Sequence, residues 1–464
     1  MNLKRPCSQA NTHAVVIGGS MAGLMAARVL SDHFSSVTVV ERDRYPAHPD
    51  CRAGVPQASH VHVLLLRGQL ILEDLFPGIR EEYVRQGADF FDSAADFTWL
   101  TPAGWAPRFH CGWPFLAASR PLIEWVVRKQ LERIPHIEFL QGAAAVGLCQ
   151  DALSRRITGV HLESRPGENV PSVIEADLTV DASGRSSPAS DWLDRLGYER
   201  PLETVVDGRM GYASRIFRRS GPRNTDWRAS YSQAAPPAIC RIGLAFPIEQ
   251  DRWMVSLAGG GGDYPPTDEK AFAAFAQSLP NPDVYRVITT SEPLSPIRSH
   301  RGTQNRLRHY EKVKMPEGFV VMGDAACAFN PVYGQGMSTA AMGAQLLQEC
   351  LYRGRLHRFQ RELTKRLQPA WMFATSEDIR YPGAEGVSMN LSTRLMHRYF
   401  DGVLEQSLQD RKTRADFLQV LHMLRPPSLL FRPRVLIPVI WRLLARRLGE
   451  PSYRAGSLVG EPVA

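Results

Sequence analysis

The stretch that most constrains this chain is His13 to Asp43, which reads HAVVIGGSMAGLMAARVLSDHFSSVTVVERD. A short apolar run, Ala14 to Ile17, meets a glycine turn. Apolar residues at helical spacing follow from Met21 to Leu30, and a β-branched run, Val37 to Val40, ends on Glu41. That order predicts strand, helix and strand, with glycines where such a βαβ unit grips a dinucleotide. Gly18 permits the tight turn and Gly23 lets the helix lie close on the strand. The helix N-terminus offers free N–H groups and a positive dipole end to a pyrophosphate. Glu41 is placed to accept hydrogen bonds from an adenosine ribose. Ser20 stands where the middle glycine of G-x-G-x-x-G is expected; its hydroxyl can donate to phosphate, but the backbone approaches less freely. The motif alone leaves open NAD, FAD, or a tight strand–helix turn that binds no nucleotide.

With 464 residues, the chain is long enough for two or three domains around substantial cores. Its net charge of +8 comes without a Lys/Arg-rich block or an aromatic-interleaved basic stripe, so no nucleic-acid partner is expected. An acidic substrate, an acidic protein or an anionic membrane surface stays open. The seven cysteines are scattered, none forms C-x-x-C and no Cys/His group has zinc spacing, so reduced thiols, a cytoplasmic location and no metal are expected. The first strand begins by Ala14 with no long apolar segment before it, so no signal peptide is expected. No run approaches the roughly 20 apolar residues that a spanning helix needs.

Beyond the βαβ unit, Pro46, Pro49, Gly54 and Pro56 mark an irregular loop before an amphipathic helix from about Leu64 to Leu75. Arg52 and Gln57 in that loop either reach a bound cofactor's phosphate or ring or are solvated. His60 and His62, without carboxylate or cysteine company, read as structural. Phe97, Trp99, Trp105, Phe109, Trp113 and Phe115 crowd around a TPAG turn; most are expected in a core, and their density suits a sheet that lines an apolar pocket. Ser119 is an N-cap candidate for a helix to Glu132, with Pro121 in its first turn and Arg120 at its start, where a guanidinium can meet a phosphate.

Short strands then lead to DASGRSSP, Asp181 to Pro188. Strands alternate with Gly and Pro turns over 205–300, with one amphipathic helix at Asp268 to Leu279. The βα pattern returns at GFVVMGDAACAFNPVYGQGM, where a strand ends on Gly323-Asp324 and a loop with Pro331, Gly334 and Gly336 opens a long helix. Asp324, at the carboxyl end of a parallel strand, stands where α/β sheets bind ligands; its alternative is a turn cap. The free N–H groups at the start of the Gly336 helix can stabilise negative charge on a ring system. The fold predicted is α/β. A Rossmann-like domain (12–90, 116–200 and 300–370) carries an inserted antiparallel-sheet substrate domain (91–115 and 201–299) and a helical C-terminal region (371–464). The end of that region, Arg425 to Gly449, mixes large apolar residues with six arginines. Peripheral membrane contact is conceivable there. Pro433 and Pro438 are expected to interrupt it, which favours packing on the protein body.

Together the three motifs resemble those of single-component flavoprotein monooxygenases of the p-hydroxybenzoate hydroxylase fold. The resemblance covers about residues 12 to 370. It implies FAD, with its pyrophosphate and ribose at Gly18, Ser20, Gly23 and Glu41, Arg52 and Arg120 close by, and Asp324 on the ribityl chain. It also implies that the loop from Pro331 to Met337, with Gly334 and Gly336, lies beside the isoalloxazine. DASGRSSP resembles the middle motif, but Ser183 holds the aspartate position, so the electron source is either NAD(P)H or a separate flavin reductase. RAGVPQASHVH, DASGRSSP, FNPVYGQGMS and ATSEDIRYPG (Ala374 to Gly383) resemble polyether-antibiotic epoxidases of the lasalocid and monensin type, distant relatives of squalene epoxidase. The W-x-W-x-I-P motif of flavin halogenases is not found.

The resemblance implies epoxidation of a polyene polyketide by O₂ through a flavin C4a-hydroperoxide, in natural-product biosynthesis. Such electrophilic oxygen transfer needs no side-chain nucleophile, so no catalytic acid or base is named. The alternatives are hydroxylation of an aromatic or polyketide ring, alkene reduction, and a flavin-containing cyclase without net redox change.

Overall fold

The computed structural model describes residues 11–164, 170–219 and 225–447. A five-stranded, all-parallel sheet forms its centre, in the order Phe319–Val321, Leu178–Asp181, His13–Ile17, Ser36–Glu41 and Ile137–Gln141. Both faces are covered, so its strands are near-continuous apolar runs: Ala14, Val15 and Val16 are fully buried, as are Val39 and Val180. Helices Met21–Leu30 and Gly336–Tyr352 pack on it and on each other, which joins the two βα signatures in one core. The strand order places His13–Ile17 and Phe319–Val321 on either side of Leu178–Asp181. All three therefore deliver their carboxyl ends, and the loops that follow, to one edge.

A second sheet of seven strands runs Arg298–His300, Gly211–Arg218, Arg252–Gly259, Arg241–Ile248, Ala229–Ser232, Phe97–Thr101 and Gly104–Trp105. It is mixed rather than antiparallel throughout, because Phe97–Thr101 lies parallel to Ala229–Ser232. That strand arrives from a distant part of the chain, so no hairpin dictates its direction. The aromatic cluster pairs within itself: the Phe91 ring lies 5.6 Å from Phe115 and 5.8 Å from Phe246, and Trp99 lies 5.7 Å from Tyr231. Trp99, Phe115 and Phe246 are buried, so these rings are core. Asp268 caps helix Glu269–Gln277, and a second helix, Asp283–Thr290, follows where the sequence suggested none.

Helix Phe359–Asp378 runs across residue 371, so the C-terminal helices continue from the α/β body without a break. Pro433 and Pro438 do not interrupt the last helix, Pro433–Arg447. Pro433 begins it, where a missing N–H costs nothing, and Pro438 is accommodated inside it. Val435 and Val439 are buried against Tyr399, Val403 and Leu430, while Ile437, Ile440, Trp441 and Leu444 are exposed. Among the described residues no helix is long and apolar enough to cross a membrane. The six described cysteines are free thiols; Cys7 lies outside the described residues.

Candidate functional site

At the turn after the first strand, Gly18 has φ +95°, and a Cβ there would lie 2.6 Å from the carbonyl oxygen of Ala182. A Cβ on Gly23 would lie 1.8 Å from the Gly18 carbonyl. The turn, the helix and the end of the neighbouring strand are thus in backbone contact, which a side chain at either position would break. On the far side, Gly323 packs on the same helix: its Cβ would sit 2.6 Å from that of Ala22. Two motifs three hundred residues apart therefore form adjoining walls of one cleft.

One end of the cleft is a charge cluster. Glu41 is buried and accepts from the N–H of Gly19 at 2.9 Å and of Asp43 at 3.0 Å. Arg52 joins Glu41 (3.1 Å), Asp43 (3.0 Å) and Glu124 (2.9 Å), and donates to the Gly19 carbonyl at 3.3 Å. Burial opposes the charge on Arg52, and Glu124 and Glu41 outweigh it, so the guanidinium stays protonated. Arg120 opens helix Arg120–Leu131, which Ser119 caps by accepting from the Leu122 N–H. Arg120 donates to Ser20 Oγ at 2.8 Å and to Glu124 at 3.1 Å. Ser20 Oγ in turn gives its proton to Glu124 at 2.6 Å. Its hydroxyl is thus committed to a carboxylate, not held free for phosphate as the sequence suggested. Burial works to raise the Glu124 carboxyl, but Arg120 and Arg52 overcome it and hold the pKa below its ordinary value.

Glu124 is the residue that sequence reasoning missed. Its only signal was its place one helical turn after Arg120.

Asp324 follows the third of these strands in a single 3-10 turn, Gly323–Ala325. It is partly accessible to solvent, yet burial pushes its carboxyl up, with Arg185, Arg120 and Arg308 pulling it back. Both features suit a side chain on the wall of a narrow cleft. Beyond it, Pro331 opens the 3-10 turn Pro331–Tyr333 and Gly334 ends it at φ +66°. A Cβ on Gly334 would strike Val63 Cγ2 at 2.2 Å, whereas one on Gly336 would meet nothing within 4 Å. Gly334 thus packs on protein, Gly336 faces open space at a helix start, and Met337 is buried behind it.

DASGRSSP turns inward. Asp181 is fully buried, accepts from the Ser183 N–H at 2.9 Å and bonds the Ser187 hydroxyl; burial raises its carboxyl. Buried His60 bonds Ser214 at 2.8 Å and its ring lies 4.4 Å from that of Tyr212, while burial, His62 and His300 push its pKa down to about 3. The structure therefore gathers Gly18, Ser20, Gly23, Glu41, Arg52 and Arg120 at one end of the cleft. Asp324 lies within electrostatic reach of Arg120, and the Pro331–Met337 segment leads away from it. Gln57 sits in the 3-10 turn Pro56–Ser59 outside this cluster. A cavity of about 360 Å³ is lined by Arg185, Arg200, Arg306 and Arg308 among others, and Arg185 and Arg308 also act on Asp324.

Three buried polar atoms along the cleft have no hydrogen-bond partner: Arg120 Nε, Tyr212 Oη and Gln335 Oε1. Buried groups of this kind are normally satisfied, and a ligand in the cleft would supply their partners. Acceptors at Glu41, cations at Arg120 and Arg52, and open space before a helix start fit an elongated nucleotide with an adenosine end, a pyrophosphate and a ring.

The family model of the FAD binding domain matches residues 11–353. Protein Rv3254 of Mycobacterium tuberculosis is 32% identical over 452 residues, covering 94% of both chains. The flavin-dependent brominase Bmp2 superposes with a TM-score of 0.64 at 14% identity, over 94% of this chain and 99% of that one. The p-nitrophenol 4-monooxygenase PnpA of Pseudomonas putida DLL-E4 superposes with a TM-score of 0.62 at 15% identity, over 90% and 98%. At those identities the two structures establish a shared fold.

Proposed function

This chain belongs to the FAD binding domain family, and from that premise we propose that it is an FAD-dependent monooxygenase that epoxidises alkenes of an apolar, polyene-type substrate. The contact of Gly323 with Ala22 carries the reading, because it makes one continuous cleft of the two half-sites. Glu41 would hold the adenosine ribose, Arg120 the pyrophosphate, and Asp324 the ribityl chain. The Pro331–Met337 segment would frame the ring. Bound FAD, once reduced, supplies the oxygen-activating chemistry.

The chain's own residues position and shield. Arg120 neutralises phosphate charge in a site already drained of solvent, where that charge counts for more than in water. The N–H groups at the start of the Gly336 helix stabilise negative charge facing them. Val63, against Gly334, closes one side with an apolar wall that keeps water from the reacting centre. Electrophilic oxygen transfer to an alkene asks no side chain to attack. A neutral His60, its proton-accepting power reduced by burial, suits a wall residue better than a base. Supporting this choice of substrate is the resemblance carried by RAGVPQASHVH and FNPVYGQGMS.

A second reading draws on Tyr212, whose buried hydroxyl has no partner and is held protonated mainly by burial. A free phenol beside the cleft is the kind of polar group that would orient an aromatic or enolised ring for hydroxylation. The test is oxygen uptake and product mass with a reduced-flavin supply and a long polyene, using ¹⁸O₂. Product heavier by one labelled oxygen on a former alkene supports epoxidation, and label on a ring carbon supports hydroxylation. An isobaric product formed without reductant would overturn both in favour of a non-redox cyclase. Dependence on NAD(P)H alone, or on an added flavin reductase, decides the electron source in the same assay.

A further inference from the structure

ATSEDIRYPG ends helix Phe359–Asp378 with an aspartate that none of the preceding chemistry uses. Asp378 is fully buried, 0% exposed, and its carboxylate collects four hydrogen bonds. Tyr333 Oη donates at 2.6 Å, Asn330 Nδ2 at 2.9 and 3.1 Å to its two oxygens, and Asn305 Nδ2 at 2.7 Å. Asn330 is tied further: its backbone N–H donates to Asn305 Oδ1 at 2.8 Å, and its Oδ1 accepts from the Val332 N–H at 3.2 Å. Asn330 and Tyr333 bracket the 3-10 turn that leads from Asp324 to the Gly336 helix. One carboxylate therefore grips that turn at both ends and fastens it to a helix and to a separate strand, Asn305–Arg308.

We infer that Asp378 is the positioning residue of the ring-framing segment, fixing Pro331 to Gly334 through Asn330 and Tyr333. The inference rests on the placement of FAD proposed above. All four contacts come from donor groups, which favours the ionised form. Burial works against the charge, and Asp207 and Glu377 nearby add repulsion. Hydrogen bonds from Tyr333 and Asn330 offset only part of this, so the carboxyl is pushed up to about 7. Glu377 has Arg380 as its counter-charge, and Tyr381 stays a neutral phenol. The carboxyl therefore changes charge near neutrality, and its contacts with the turn change with it.

The test is a pH titration of the visible flavin absorption of the FAD-loaded protein, from pH 5.5 to 8.5, with wild type, Asp378→Asn and Tyr333→Phe. Wild type shows a reversible spectral step with a midpoint near 7, and Asp378→Asn keeps FAD at one per chain but shows no step. Tyr333→Phe removes a donor that favours the ionised form, so its step moves to higher pH. This variant carries the test if Asp378→Asn does not fold. A flat wild-type spectrum, a step that survives in Asp378→Asn, or an unmoved midpoint in Tyr333→Phe overturns the inference while leaving the FAD site standing. A chain that takes up no FAD overturns the functional reading itself, and the inference with it.

Discussion

Glu124→Gln gives a result opposite to the intuition that damaging a cofactor site weakens cofactor binding. In the structure Glu124 is the sole carboxylate paired with Arg120, at 3.1 Å, and one of three around Arg52. Arg52 keeps Glu41 and Asp43 in the variant, whereas Arg120 keeps only the Ser20 hydroxyl, with its Nε already unpartnered. Breaking a buried ion pair from one side costs roughly 3–5 kcal/mol. Glutamine retains an acceptor oxygen, so the ligand-free protein should lose less than that, about 2–3 kcal/mol of unfolding free energy.

With FAD bound, a pyrophosphate takes over the guanidinium and no longer faces a carboxylate. The deficit should then fall below about 1 kcal/mol. Closing the thermodynamic cycle, FAD binds the variant more tightly by about 2 kcal/mol, on the order of 30-fold. Urea unfolding with and without saturating FAD, together with a flavin-fluorescence titration, measures both sides. An equal loss in the two states, or weaker FAD binding by the variant, refutes the placement of the pyrophosphate at Arg120.

Asp324→Ala should lose most bound FAD, whereas Cys327→Ala, which only trims a buried thiol, should keep it; the flavin-to-protein absorbance ratio checks both. Gly334→Ala must hold a left-handed φ and push Val63 aside, which should destabilise the protein by about 1–3 kcal/mol in urea unfolding; Val63→Ala in the same chain should recover part of that. Asp378 gives a pH dependence of defined sign. Its folded pKa lies above its unfolded one, so its contribution is complete below about pH 4 and is lost as pH rises towards 7. The loss is on the order of 4 kcal/mol relative to Asp378→Asn, read as the difference of their unfolding free energies across pH 4.5 to 8.

The βαβ unit was legible in sequence because every local signal agreed. Apolar runs, Gly18, Gly23 and Glu41 stand at spacings set by backbone geometry alone, and the observed strand and helix bounds match them within a residue or two. Ser119 and Arg120 were legible for the same reason, through an N-cap followed by proline. Glu124 was not, because its role depends on Ser20 and Arg52 arriving from elsewhere in the chain. The Asp378 cluster was invisible in the same way: Asn305, the Asn330–Tyr333 turn and Asp378 come from three segments, and only packing brings them within 3 Å. The parallel pairing of Phe97–Thr101 with Ala229–Ser232 is a third instance, since no turn residue encodes it. At Pro438 the error was one of weight: a single proline was read as a helix end, and the buried Val435 and Val439 on either side of it hold the helix together.

The resemblance divided the glycines of the second motif less finely than the structure does. Gly334 and Gly336 both looked like openings for a ring, yet Gly334 is needed by Val63 and Gly336 alone faces free space. That distinction makes the start of the Gly336 helix the end of the cleft and Val63 part of its wall.

The central claim is that His13–Asp43 and Gly318–Met337 make two halves of one FAD site. Acid denaturation of the purified protein, after reconstitution with FAD, followed by chromatography of the released flavin tests it most directly. The expected result is a yellow protein that gives up FAD, not FMN, at one per chain. A colourless protein that retains no flavin after reconstitution contradicts it.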